Sequence, residues 1–408
     1  MDKVQQEVDR LYKSHFGKMV SSMLDFSRDI DLETAEDLVQ DSFSAALVSW
    51  RKDAIPSNPA GWIFTVCRHK ALNKIKEGKR FGSLFQEEAT PPGDAGSPRP
   101  VLDDYQLRLL FACAHPDLSP KVQVVITLKY VVNLKVEAIA KILGLTVDGV
   151  DKLLVRARQK IREEKNLLAE PDIDALQPRV PVVHKIIYLI FNEGYKSSWG
   201  KELIREELCE EALLLGRALQ NSKVGNEETA VLYALMLFNA ARFKARFGPS
   251  GELLDLGEQD RSLWNSDLIQ LGCSYIQQTQ KGPASSYHYE AAIAYLHCTA
   301  KNFASTDWLA ITRLYLQLLR LRPNPFVELN YAIALYYAGQ KSQAMDILNN
   351  LRQHPFLSQY YLLNAALGKI HFLEGDSPNA KKYWEKTLGQ TNSQLEKEFI
   401  QKMINKIT

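Results

Sequence analysis

The sequence lacks most of the residue patterns that mark chemistry. Its five cysteines, Cys67, Cys113, Cys209, Cys273 and Cys298, are scattered with no CxxC among them. That leaves no thiol redox pair and no cysteine zinc site, and it fits the reduced thiols of a cytoplasmic protein. HExxH, a glycine-rich phosphate loop and a nucleophile with its base are all missing, so no enzyme activity, catalytic residue, metal or cofactor is expected. The carboxylates of Asn192-Glu193 and Glu258-Gln259-Asp260-Arg261 are read as salt-bridge or helix-cap groups, not as acid-base pairs. Long apolar runs are lacking too. The N-terminal MDKVQQEVDR has no signal-peptide h-region, and Val180–Phe191 is broken by His184 and Lys185. A soluble, cytoplasmic protein with no membrane partner is therefore expected. Charge of one sign is also scarce: the formal net charge is +2 over 408 residues. Any nucleic-acid contact must come from local patches, not from the overall field.

What is present is helix, nearly everywhere. The length predicts two or three domains, and the periodicity predicts an all-α fold: two small helical domains joined by a flexible linker, then a helical-repeat domain. Val4, Val8, Leu11, Tyr12 and Phe16 make a first amphipathic stripe. After a break at Asp29-Ile30-Asp31, the stretch Ala35–Trp50 repeats apolar residues at steps of three and four. Glu36, Asp37, Gln40 and Asp41 share a second face of that helix, which is either a solvated surface or an acidic contact. Residues 51–58 read as a loop. Asn58-Pro59 then starts a helix whose apolar side, with Trp62, Ile63, Val66 and Ala71, opposes Arg68, Lys70, Lys74, Lys76, Lys79 and Arg80. A face of one sign at that density suits a phosphate backbone. Trp50 and Trp62 lie on apolar faces and are read as core.

Residues 81–100, rich in Pro, Gly and Ser, read as the linker. Within 101–166, Ser119-Pro120 opens a buried helix over 122–132. A helix-turn-helix follows: Val136–Leu143, a turn at Gly144, and a second helix capped by Thr146. Ala140, Gly144, Val150 and Leu153 occupy the offsets that such a crossing needs. The second helix ends in Arg156, Arg158, Lys160, Arg162 and Lys165. The helix dipole accounts for one or two cations there; phosphate contact accounts for five. Residues 170–179, flanked by prolines, read as a second joint, and 180–408 as helices with short turns. Two hairpins in that block repeat: Ala344 and Ala380 lie 36 apart (380 − 344), near the 34-residue period of tetratricopeptide (TPR) repeats.

The helix AEDLVQDSF, the basic helix after Asn58 and the helix-turn-helix together resemble the two-domain body of extracytoplasmic-function (ECF) RNA polymerase sigma factors. The stretches Tyr188–Tyr195, Glu258–Trp264 and Thr306-Asp307-Trp308, and Cys113-Ala114-His115-Pro116, are similar to the ECF subgroup with a long C-terminal TPR-like extension. The resemblance implies an alternative sigma factor whose partners are core RNA polymerase (β′ clamp and β flap) and promoter DNA. It implies that 1–80 is region 2, which melts the promoter and binds polymerase, that 101–166 is region 4, which reads the −35 element, and that 180–408 is a regulatory extension. That extension would contact another protein or the sigma body. Glu36, Asp37, Gln40 and Asp41 would face polymerase. Lys52, Asn58, Arg68, Lys70, Lys74 and Lys79 would serve the −10 element, and Asp148, Gly149, Asp151, Lys152, Arg156, Arg158 and Lys160 the −35 element. Two departures stand out: aspartates open the recognition helix, and Asn73 precedes the basic run where the family has an aspartate. A DNA-binding regulator that works without polymerase, with a TPR-like sensor, is the alternative; it has no use for the acidic face.

Overall fold

The computed structural model describes residues 2–27, 29–82, 104–163, 173–196, 204–279 and 284–407, with side chains omitted at 53 and 77–82. Lys165 and nearly all of the predicted linker, residues 83–100, lie outside these. Among the described residues the secondary structure is helical, apart from a single antiparallel bridge between Phe247 and Leu253. No described helix is long and apolar enough to cross a membrane. The chain forms two compact units. One comprises Met1–Glu193 with Arg217–Gly225, the other Gly194–Gly216 with Asn226–Thr408.

The first unit begins with α1 (Lys3–Phe26), α2 (Leu32–Asp53) and α3 (Pro59–Gly82). Local chemistry sets their ends. Asp31 caps α2 by accepting from the Thr34 amide at 2.9 Å, and Arg51 and Lys52 sit in its last turn, where the helix dipole favours cations. Asn58 caps α3 through the Gly61 amide at 3.0 Å, with Pro59 at the first helical position. These three helices enclose Phe16, Met19, Val20, Ala35, Val39, Phe43, Ala46, Trp50, Ile63 and Cys67, all buried. Trp50 meets Trp62 edge-on at 5.6 Å.

A second lobe follows, with α4 (Tyr105–Cys113), α5 (Pro120–Tyr130), α6 (Val136–Ile142) and α7 (Val147–Glu163). Residues 170–179 were expected to form a joint. Where described, they instead form a short helix, α8 (Ile173–Leu176), and a 3-10 turn that runs into α9 (Val180–Tyr195). The reason is burial: Leu176 is inaccessible, and Arg179 donates to the Phe111 carbonyl of α4 at 3.1 Å. Most of α9 therefore belongs to the first unit, whose first segment runs to Glu193.

The second unit contains the start of α10 (Glu206–Asn221) and then α11 (Glu227–Ala240), α12 (Ser266–Gln277), α13 (Ser286–Thr299), α14 (Trp308–Leu321), α15 (Pro325–Tyr337), α16 (Lys341–Leu351), α17 (Tyr361–Leu373), α18 (Ser377–Gln390) and α19 (Gln394–Asn405). The repeat read from the sequence is structural. The pairs α15/α16 and α17/α18 pack as successive hairpins, and their turns carry Gly339 and Gly375, 36 apart (375 − 339), both with positive φ. A Cβ at Gly368 would lie 2.4 Å from the ring of Trp384, so the bare backbone is what admits the indole. The other singled-out motifs are architectural. Arg261 donates to the His297 and Ala300 carbonyls at the end of α13 and stacks over Trp264 at 4.5 Å. Asp307 caps α14, and Trp308 stacks on Tyr337 at 4.8 Å.

Candidate functional site

The acidic face of α2 divides in two. Asp37, Gln40 and Asp41 are exposed. Glu36 is not: its side chain is 8% exposed, and it accepts from Gln40 at 3.1 Å on its own helix. Its other partners come from the second lobe, Lys129 of α5 at 2.8 Å and Arg158 of α7 at 3.3 Å. Arg158 also donates to the Tyr130 hydroxyl at 2.7 Å, and burial pushes that phenol well above its ordinary range.

The basic face lies on α3. Arg68 and Lys74 are exposed, with Arg68 over the Phe26 ring at 5.4 Å. Lys70 is half-buried and 3.7 Å from Asp41. Between α2 and α3 runs an open groove of about 620 Å³, lined by Asp41, Ser44, Ala45, Val48, Ser49, Lys52 and Lys70. It brings two predicted −10 residues beside one predicted polymerase residue. Asn58 is exposed at the start of α3, where its side chain is occupied as the cap. The Lys79 side chain lies outside the described residues.

The helix-turn-helix has the geometry its spacing predicts. Gly144 takes φ +62, Thr146 accepts from the Gly149 amide at 3.0 Å, and Ala140, Ile139 and Val150 are buried between α6 and α7. Leu154, not Leu153, is the residue fully buried one turn on. The outward face of α7 carries Asp148, Asp151, Lys152 and Arg156, all exposed. Asp148 and Lys152 pair at 2.7 Å, which offsets the acidity of this end. Gly149 is half-buried in the first turn. Two cations of the predicted set point elsewhere: Arg158 to Glu36, and Lys160 to the Asp117 carbonyl at 2.6 Å. Cys113 is buried, its thiol pushed up to about 12 by that burial, and His115 accepts from the Asp117 amide at 3.2 Å. Among the described residues no group of His, Cys, Asp and Glu is placed to hold a metal ion.

Sequence reasoning missed the contacts between the two lobes. Arg162 pairs with Asp31 at 3.4 Å and Glu33 at 3.1 Å. Burial works against the Asp31 carboxylate, but the Thr34 cap and the Arg162 charge hold it below its ordinary range. Arg108 of α4 pairs with Asp25 of α1, and Ser21 of α1 donates to the Tyr105 carbonyl. Gly17 of α1 lies so close to α5 that a Cβ there would sit 2.6 Å from the Val131 carbonyl oxygen. The one visible hint in the sequence was Lys129, a cation inside an otherwise buried helix.

Comparison with known families matches residues 11–81 to Sigma-70 region 2 and 108–161 to Sigma-70, region 4; residues 179–280 match a family of unknown function (DUF6596). Uncharacterized protein R00370 of Rhizobium meliloti (strain 1021) is 30% identical over 397 residues, covering 95% of this chain and 92% of its own length. RNA polymerase sigma factor YlaC of Bacillus subtilis (strain 168) is 25% identical over 163 residues, 40% of this chain and 93% of its own. No solved structure matches.

Proposed function

Because the chain belongs to the RNA polymerase sigma factors with sigma-70 regions 2 and 4, in one family with the Rhizobium protein, we propose that it is an alternative sigma factor with two working faces in region 2. The exposed carboxylates Asp37 and Asp41, with Gln40 beside them, pair with basic residues of the polymerase β′ clamp, while Glu36, buried against Lys129 and Arg158, is left out of that contact. Lys52, Arg68, Lys70, Lys74 and Lys79 hold the −10 strand, with Asn58 at the start of α3, and the groove lined by Lys52 and Lys70 receives it. Extruding a base from the stack costs a few kcal/mol, and contacts along such a groove offset that. Region 4 docks on the β flap and reads the −35 element with the outward face of α7. There Asp148, Gly149, Asp151, Lys152 and Arg156 meet base edges and the nearest phosphates, whereas Arg158 and Lys160, turned to Glu36 and to the Asp117 carbonyl, are not part of that face.

The observation that carries this reading is the adjacency, on two packed helices, of an exposed acidic face and an exposed basic face, inside the stretch that matches region 2. A repressor that works without polymerase needs the second face only. The test is capture of core polymerase by the wild type and by Asp37→Lys/Asp41→Lys. The double reversal is expected to weaken capture by tenfold or more, roughly 1.4 kcal/mol; undiminished capture sinks the reading.

We assign the second unit a regulatory role. Its TPR-like hairpins belong to a compact body of their own, and the matches to Sigma-70 region 2 and region 4 end at residue 161, before it. A separate protein or the sigma body itself is the expected contact. Transcription in vitro from one promoter, with and without the extension, reads the sign of that regulation.

A further inference from the structure

Helix α14 of the second unit is apolar on the side where a surface helix is normally polar. Its sequence, WLAITRLYLQLLRL, contains no Asp or Glu, and its polar residues are Thr312, Arg313, Gln317 and Arg320. Ile311, Thr312 and Leu318 are buried, and α13 and α15 pack against the helix. On the far side Leu309 is 50% exposed and Leu316 37%, and Arg313 and Arg320 are exposed with them. A helix that is apolar all round is normally covered all round. This one is covered on one side only.

The four exposed residues form a single stripe. Leu309 and Leu316 are seven apart (316 − 309), and so are Arg313 and Arg320 (320 − 313). At 3.6 residues per turn all four fall within about 60° of arc, opposite Ile311 and Leu318. A repeat of seven, in which each leucine is followed four residues on by a charge, is the pattern with which one helix receives another. The leucines make the seam and the flanking charges select the partner.

The cations of the stripe are not neutralised within this unit. Among the described residues neither Arg313 nor Arg320 pairs with a carboxylate. Arg320 sits in the last turn, where the helix dipole favours it; Arg313 is mid-helix and gains nothing from that. Asp307, the acid nearest in sequence, is taken up as the cap of α14, accepting from the Ala310 amide at 2.8 Å.

We propose that this stripe is a docking surface for an acidic amphipathic helix of another protein, which sets apolar side chains at heptad spacing on Leu309 and Leu316 and carboxylates on Arg313 and Arg320. The proposal rests on the regulatory role assigned to the second unit and gives that role a contact surface. A second copy of this chain does not fit, because two such stripes would set arginine against arginine. A nucleic acid would meet the two arginines and leave the leucines in water. An acidic helix satisfies both, by the mode in which an amphipathic helix lays its anchors along an apolar surface.

The test uses the full-length chain and two labelled synthetic peptides, each three heptads long. One has leucine at every seventh position flanked by glutamate; the other has lysine in place of each glutamate. Fluorescence anisotropy is expected to give a Kd of about 10 µM for the acidic peptide and binding at least tenfold weaker for the basic one. Leu309→Ser/Leu316→Ser and Arg313→Glu/Arg320→Glu are each expected to weaken the acidic peptide by tenfold or more. The arginine reversal is also expected to make the basic peptide the better ligand. All four side chains are exposed, so both variants should melt close to wild type.

Equal binding of the two peptides, or binding indifferent to both double variants, overturns the proposal. So does a face that binds duplex DNA or phosphatidylserine vesicles through the two arginines while neither peptide binds. Adding the acidic peptide to transcription in vitro separates the surface from its role. Binding that leaves transcription unchanged overturns the regulatory assignment and not the docking surface.

Discussion

Single residues decide more here than their chemistry announces. His297 is an instance. Burial, with the charges of Arg242 and Arg261 beside it, lowers its pKa from 6.5 to about 4. Between those values the unfolded chain holds a proton that the folded chain does not, so stability falls as pH falls through the window from 6.5 to 4. The loss is about 3 kcal/mol. Urea unfolding of the second unit at stepped pH is expected to show it, and His297→Gln to flatten the dependence. Glu36 is the opposite lesson. Its neighbours Asp37, Gln40 and Asp41 are as exposed as the helical wheel implies, whereas Glu36 is buried by groups 93 and 122 residues further on (129 − 36, 158 − 36). Separation of that order leaves no periodic trace, so the pairing was invisible in the sequence although the residue itself was singled out.

At the level of elements the sequence was far more legible, because caps, turns and apolar stripes are local. Asn58-Pro59 starts α3, Thr146 caps α7, and Gly144 turns between the helices of the helix-turn-helix. The 36-residue repeat holds down to its turn glycines. The exception is the segment around Ile173–Arg179, where prolines implied a joint; contact with α4 overrode local propensity and made it helix. Gly144 supplies the test at this scale. No atom lies within 4 Å of a Cβ built there, so Gly144→Ala meets no clash and pays only for its φ of +62. A cost of about 1–2 kcal/mol is expected. It should appear as a lower melting temperature and, since the turn aims α7, as weaker binding to a −35 duplex.

For the whole molecule, the helical class followed from periodicity, whereas the interleaving of the two units left no trace in the sequence. Residues 173–193 and 217–225 belong with the sigma regions. A chain ended at residue 166 therefore loses Leu176 and Arg179, which are buried in the first unit. It is expected to melt several degrees below a chain ended at residue 225, by differential scanning calorimetry of both. Equal melting would show that those segments add nothing. The same interleaving has a consequence for fusions. The backbone passes from one unit to the other after Glu193, returns after Gly216 and leaves again after Gly225. A single join of this extension to an unrelated sigma body, wherever it is placed, parts either residues 194–216 or residues 217–225 from the unit they pack with, so such a fusion is expected to melt below the parent chain.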